Sequence, residues 1–411
     1  MKSNSKYALI DSFRGLACLG VLAFHATLYG THDSTSSGDG PLAQVVRTVL
    51  NHLYVGVPVF FVISGYCITA ASESAMRRAD PLMDFFKRRF RRIYPSYWLV
   101  LGLTVVLLLI VGSTDLRVLL GDDQPRSSEA QSFGAIHHLP DLHQLTLGQV
   151  GGNLTLTETW LYLIRTAPTR FILPTAWTLC YEEQFYAVCA LLLLWPAFFY
   201  RGVGAVTLIT SGVLLSKFLG KVLGFSSPRP VGLFVDGAWL TFAMGIFVYR
   251  AIHHWPEQRR RSILVALFVS GSLVLAQCVK TSLYHYLFSY SVAAVFSLVL
   301  LVAHPHDRAL ALWRPLRLLA WVGEFSYSLY LVHYPITELL GRWFWMHEFR
   351  GLWTHVLVVL PITGLLSIAL SRVFFLFVEQ RFLQRPEPIG DPAPFRSAHY
   401  GRPADPVVEP G

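Results

Sequence analysis

The stretch Leu9-Ile-Asp-Ser-Phe-Arg14-Gly-Leu-Ala-Cys-Leu-Gly-Val-Leu-Ala-Phe-His25-Ala-Thr-Leu-Tyr29 is apolar over a length that crosses a bilayer, yet it carries Arg14 and His25. Ionisable groups at that depth are costly and are rarely kept there without a functional role. At ~100° and ~1.5 Å per residue, the eleven steps from Arg14 bring His25 back to within about 20° of it, about 16 Å along the axis. A permanent cation near one membrane surface and a titratable imidazole deeper in therefore share one helix face. That arrangement suits a path that receives an anionic ligand at one end and does proton chemistry at the other.

The rest of the chain has the same character. Of 411 residues, 53% are hydrophobic and only 14% are charged, and mean hydropathy is +0.46. A soluble chain carries about a quarter charged residues. The composition predicts an all-α polytopic membrane protein with about ten transmembrane helices, at 8–30, 52–72, 95–113, 175–200, 203–220, 231–251, 262–279, 283–303, 317–340 and 352–381. The spans at 52–72 and 203–220 carry the weakest signal. The first segment is too long for a signal h-region and reads as a retained helix.

Charge orients these spans. The linker after the second holds Arg77, Arg78, Lys87, Arg88, Arg89, Arg91 and Arg92, and every second connection after it is basic: Arg201, then Arg250 with Arg259–Arg261, then Arg308, Arg314 and Arg317, then Arg381 and Arg385. Ten spans with both termini cytoplasmic satisfy the positive-inside rule throughout. The net charge of +9 is then orientation and contact with anionic membrane lipids, not nucleic-acid binding. Residues 1–383 are expected to form one membrane domain, with a long extracytoplasmic loop at 114–174, and residues 384–411, rich in Pro and Gly, a disordered cytoplasmic tail. The sequence has no internal repeat to support an inverted-repeat transporter. Cys18, Cys67, Cys180, Cys189 and Cys278 lie in apolar stretches without CxxC spacing and read as small core residues.

Five stretches carry polar chemistry in an apolar setting. They are Asp11-Ser-Phe-Arg14-Gly-Leu with His25; Gly56-Val-Pro-Val-Phe-Phe-Val-Ile-Ser64-Gly65-Tyr66; Phe85-Phe-Lys-Arg88-Arg89-Phe-Arg-Arg92-Ile-Tyr-Pro95; Trp177-Thr-Leu-Cys-Tyr-Glu182-Glu-Gln-Phe-Tyr186; and Phe325-Ser-Tyr-Ser-Leu-Tyr-Leu-Val-His333-Tyr-Pro335. In this order and spacing the chain resembles the membrane acyltransferase 3 family over about residues 7–381. The resemblance implies an acyl-CoA donor taken from the cytoplasm and acyl transfer to a hydroxyl on an acceptor reached from the outer face. The chain departs from the family where Val57-Pro58-Val59 replaces an acidic position, where Thr178 stands for a common serine, and where no proline follows Glu379.

Acyl transfer to an alcohol needs a base for the hydroxyl proton, charge stabilisation at the thioester oxygen, and a site for the phosphates of CoA. His25 is the natural base, since imidazole titrates near neutrality; the plainer alternative is a histidine packed on a neighbouring carbonyl. Arg14 would contact the donor, or else serve as a snorkelling or Asp11-paired anchor. Arg88, Arg89 and Arg92 suit phosphate binding because guanidinium is a bidentate donor, although a positive-inside cluster needs no ligand. Glu182 is the third catalytic candidate, with His25 or Arg14 as its expected partner; a structural salt bridge is the alternative. His333, Tyr186 and Trp177 are assigned to substrate binding, with a core role equally open for His333. Ser64 lacks the glycines of a nucleophile elbow. The pairs His137-His138 and His253-His254 have no acidic companions in sequence, so no metal site is expected. Asn153-Leu-Thr155 is an N-glycosylation sequon.

The resemblance thus implies an integral membrane O-acyltransferase of the cell membrane, a bacterial cytoplasmic one. Its donor substrate would be acyl-CoA (acetyl-CoA), with no permanently bound cofactor. The acceptor would be a cell-surface or lipid-linked saccharide. Acylation of a small molecule such as a macrolide is the runner-up. A transporter or flippase using Arg14 and His25 as a substrate and proton path is the reading from a different class. About thirty residues follow the last span, too few for the hydrolase-like domain that some relatives carry there, so the membrane domain, the 114–174 loop or a separate protein is expected to handle the acceptor.

Overall fold

A computed structural model describes residues 7–31, 40–111, 142–160, 169–224, 232–256, 258 and 284–383. The expected span at 262–279, the tail, and much of the 114–174 loop lie outside the described residues. Among the described residues the regular elements are all helical: α1 (Leu9–Thr31), α2 (Pro41–His52), α3 (Gly56–Ala75), α4 (Pro81–Val111), α5 (Leu147–Thr155), α6 (Trp177–Leu193), α7 (Phe199–Leu223), α8 (Ala238–His253), α9 (Tyr284–Ala303), α10 (Arg314–Glu324), α11 (Ser326–Met346) and α12 (Leu352–Phe382).

Six of the helical stretches among the described residues are long and apolar enough to cross a membrane: Leu9–Thr31, Pro41–Ala75, Pro81–Ile110, Pro196–Gly220, Phe288–Ala311 and Leu352–Phe382. The two weakest spans of the sequence reading fall within this set. Large apolar side chains on these helices point outward, as with Leu103, Leu109, Leu208 and Leu365, a surface that only lipid covers without cost. Helices α6 and α8 coincide with expected spans but have 17 and 16 residues. At ~1.5 Å per residue they fall short of a ~30 Å hydrocarbon layer.

The span expected at 317–340 is corrected. The chain breaks at Phe325, which is buried and leaves the helical region at φ −113°. Before the break, α10 buries Val322 and Gly323 while Leu318 and Trp321 face outward and Arg314 and Arg317 stand at its start, the pattern of an interfacial helix. After the break, α11 begins anew, and the buried Glu379 of α12 accepts from the backbone N–H of Ser328 at 3.1 Å and from its hydroxyl at 2.5 Å. That carboxylate meets unpaired N–H groups at a helix start.

Helix α1 is the axis of the bundle and packs against α10, α11, α3 and α2. Asp307 anchors its first turn, accepting from the N–H of Ala8 at 2.8 Å and of Leu9 at 2.9 Å. Two glycine pairs set the closest approaches. A Cβ at Gly15 would meet the Leu319 carbonyl oxygen at 2.0 Å, and one at Gly323 the Asp11 oxygen at 1.7 Å. Between α3 and α8, a Cβ at Gly65 would meet the Phe242 oxygen at 2.0 Å, and one at Gly245 the Val62 oxygen at 1.9 Å. Small residues let backbones touch where lipid gives no hydrophobic drive for helix association.

Gly65→Ile is therefore expected to cost more than the ~1–3 kcal/mol of ordinary overpacking, because backbone and not a flexible side chain is struck. Gly102→Ile, at a glycine with nothing within 4 Å, is expected to leave the protein unchanged. Thermal unfolding of both variants in detergent checks this; equal midpoints would show that the α3–α8 contact does not require glycine.

Candidate functional site

Five helices converge on one cavity that encloses about 820 Å³ of empty space, its open mouth included. Helix α1 contributes Arg14 and Val21, α3 contributes Ser64 and Cys67 among apolar neighbours, and α4 contributes Arg89, Arg92 and Ile93. Thr178, Glu182 and Tyr186 enter from α6, and Ser326, Tyr327 and Tyr330 from α11.

Helical spacing explains the convergence. Arg89 and Arg92 are three residues apart and so share a face of α4, and Glu182 and Tyr186 are four apart on α6. Arg14 donates to Asp11 Oδ1 at 3.1 Å and to Cys67 Sγ at 3.1 Å, which ties α1 to α3 at the cavity wall. The Tyr186 hydroxyl donates to Glu182 at 2.7 Å, and the Arg89 guanidinium lies 5.0 Å over the Tyr186 ring. Among the described residues no acceptor hydrogen-bonds Arg89 or Arg92. The cavity lining itself holds three guanidiniums and one carboxylate, with Asp11 paired to Arg14 at its edge.

His25 does not line the cavity. It stands one helical turn beyond Val21, which does, and meets His333 of α11, whose Nε2 lies 3.2 Å from His25 Nδ1. Each ring also places its Nδ1 2.9 Å from the carbonyl four residues back, Val21 for His25 and Leu329 for His333. Tyr330 stands between cavity and histidines: it lines the cavity, its hydroxyl bonds Thr178 and the Thr175 carbonyl, and its ring centroid is 6.1 Å from that of His333. One turn further along α1 the Tyr29 hydroxyl donates to Glu338 at 2.9 Å, and Arg342 donates to the same oxygen at 2.7 Å. Both partners of that ion pair are buried.

Of the residues expected from sequence, the cavity gathers Arg14, Arg89, Arg92, Glu182 and Tyr186, and His25 and His333 form a pair beside it. Arg88 is not among the residues that line the cavity; it is half-buried, with Nη2 unbonded among the described residues. Trp177 is exposed and stands edge-on to Tyr181, while its neighbour Thr178 lines the cavity. No ion pair joins Glu182 to Arg14 or His25; Tyr186 holds its carboxylate, with Arg14 in electrostatic reach. Cys67 is a wall residue of the cavity and not simply a core filler. Asn153 is buried within α5, with its amide bonded to Gln149, Arg170 and Ile172, so the sequon is not offered to solvent. His254 has an acidic companion after all, Glu73 at 2.6 Å. Tyr327 and Tyr330 were missed, although with Ser326 and His333 they recur at helical spacing on α11.

The family model described as an acyltransferase domain matches residues 7–372. The chain belongs to the acyltransferase 3 family. Among curated proteins it is similar to YrhL of Bacillus subtilis, provisionally named a peptidoglycan O-acetyltransferase, at 26% identity over 80% of this chain and 48% of that protein. It is also similar to the peptidoglycan O-acetyltransferase OatA of Listeria monocytogenes, at 24% identity over 82% of this chain and 51% of that protein. The O-acetyltransferase OatA of Staphylococcus aureus is 23% identical over 82% of this chain and 51% of its own length. The chain spans about half the length of the curated relatives it matches. No solved structure matches it.

Removing one member of a buried ion pair typically costs ~3–5 kcal/mol. Glu338→Ala is expected to lower the unfolding midpoint strongly, because Tyr29 and Arg342 both bond that carboxylate, whereas Glu348→Ala, at the exposed pair with Arg350, is expected to change it little. Thermal unfolding of the two purified variants makes the comparison.

Proposed function

We propose that this chain is a membrane O-acetyltransferase that moves an acetyl group from acetyl-CoA to a hydroxyl of a cell-wall saccharide. The observation that supports this most is the continuity of α1, which carries Arg14 in an arginine-lined cavity at one end and the His25–His333 pair one turn past that cavity. Peptidoglycan O-acetyltransferases among the relatives favour a saccharide acceptor over a macrolide. In this reading α11 takes the place of the span expected at 317–340, the arginine mouth and both termini face the bacterial cytoplasm, and the Tyr29 end of α1 faces outward.

The chemistry runs as follows. Arg89 and Arg92 hold the CoA phosphates, and Arg14 lies further along the pantetheine arm. Nε2 of His25 takes the acceptor hydroxyl's proton as the oxygen attacks the thioester carbonyl. A tetrahedral oxyanion forms, the C–S bond breaks, the ester leaves, and the proton on His25 passes to the CoA thiolate. Acetyl-CoA and alcohol become CoA and acetyl ester with no net proton released.

Loss of a positioned base typically costs ~10²–10⁴-fold in rate. His25→Ala is expected to fall in that range with acetyl-CoA affinity kept, while the Arg89→Gln, Arg92→Gln double variant weakens acetyl-CoA binding first. CoA release and acetyl-CoA titration on the purified variants measure the two effects. Normal turnover by folded His25→Ala protein would remove the imidazole from the mechanism. Solute movement without CoA release would place the chain among transporters.

A further inference from the structure

The two histidines are not equivalent, and their hydrogen bonds say which does what. A neutral imidazole has one N–H and one lone pair. Nδ1 of His333 faces the Leu329 carbonyl at 2.9 Å, which can only accept, so Nδ1 carries the hydrogen and Nε2 carries the lone pair. That lone pair lies 3.2 Å from His25 Nδ1. His25 Nδ1 therefore faces two acceptors, His333 Nε2 and the Val21 carbonyl at 2.9 Å, and must itself be the N–H. The proton on His25 is thereby excluded from Nε2, which has no hydrogen bond to any described residue.

We infer that His333 is a positioning residue for His25: it accepts from Nδ1–H, holds the imidazole in the tautomer whose Nε2 can act as base, and stabilises the imidazolium formed when Nε2 takes a proton. The logic is that of a triad in which a neutral imidazole takes the place of the carboxylate. The Val21 carbonyl alone would set the tautomer but belongs to the same helix, so it cannot hold the ring against rotation of α1 relative to α11. His333 can, since it is buried (1% exposed) and fixed to its own helix. Burial also separates it from the cavity wall, which argues against the substrate contact expected from sequence. Tyr334 stands edge-on to His25, with ring centroids 5.2 Å apart.

This inference rests on His25 being the base, and the test separates the two. His333→Phe keeps the ring and removes the acceptor; His333→Gln keeps an acceptor on a flexible arm. With acetyl-CoA and solubilised peptidoglycan fragments as substrates, His333→Phe is expected to lose ~10–100-fold in kcat with KM for acetyl-CoA unchanged, and His333→Gln to recover much of that loss. If the phenylalanine variant does not fold, His333→Leu takes its place in the comparison. Wild-type kcat in the folded apolar variant, or a Gln variant as impaired as the apolar one, would overturn the positioning role. A changed KM for the saccharide with kcat preserved would overturn it too, by making His333 a substrate contact. If His25→Ala itself turns over normally, it is the base assignment that fails. If His25→Ala is inactive and His333→Phe is normal, only the present inference fails.

Discussion

A polar group that enters an apolar phase must find its partner inside the protein, and α1 shows that constraint along its whole length. Asp307 receives its first N–H groups, Ser12 donates to the Leu316 carbonyl, Arg14 reaches Cys67, His25 meets His333, and Tyr29 donates to Glu338. At the far end Arg47 donates to the Thr31 carbonyl. Each partner beyond the helix comes from another segment, so satisfying α1 assembles the bundle around it. The glycines at 15 and 323 are the steric counterpart, since they let α10 come close enough to α1 for Ser12 to reach the Leu316 carbonyl.

The same constraint explains what could be read from the sequence. Arg14 and His25 stood out because each is expensive where it lies; in the structure Arg14 lines the cavity and reaches Cys67 of α3, whereas His25 meets His333 of α11 beside it. Arg89, Arg92, Glu182 and Tyr186 followed from motif spacing, and all four reach the cavity. The break at Phe325 was hidden, because hydropathy averages the interfacial α10 and the buried start of α11 into one apolar window. What separates them is the Glu379 carboxylate at the start of α11, a contact 51 residues away in the chain. Arg88 and Trp177 were named for their neighbours; a one-residue step on a helix turns a side chain by ~100°, which takes each off the cavity face. Tyr330 and Cys67 looked like ordinary apolar-span residues until five helices were placed around them. The fold class and half of the site were local properties of the chain, and the rest depended on which helices meet.

The separation between the arginine cavity and the histidine pair organises the proposed chemistry. In the proposed mechanism a polyanionic donor and a carbohydrate acceptor would use different parts of α1, on which Arg14 and His25 lie about 16 Å apart along the axis. Tyr330, bonded to Thr178 and facing His333, occupies the junction. The family model covers this whole region, from residue 7 to 372, and relatives named for peptidoglycan O-acetylation match about four fifths of the chain across about half of their own length.

The central claim is that donor and acceptor meet along α1 from opposite faces. Oriented proteoliposomes test it directly, with radiolabelled acetyl-CoA supplied on one side and peptidoglycan fragments on the other. Label is expected to reach the saccharide only when acetyl-CoA is on the face that carries Arg89 and Arg92 and the saccharide is on the face nearer Tyr29. Equal labelling with both substrates confined to the arginine face would contradict it.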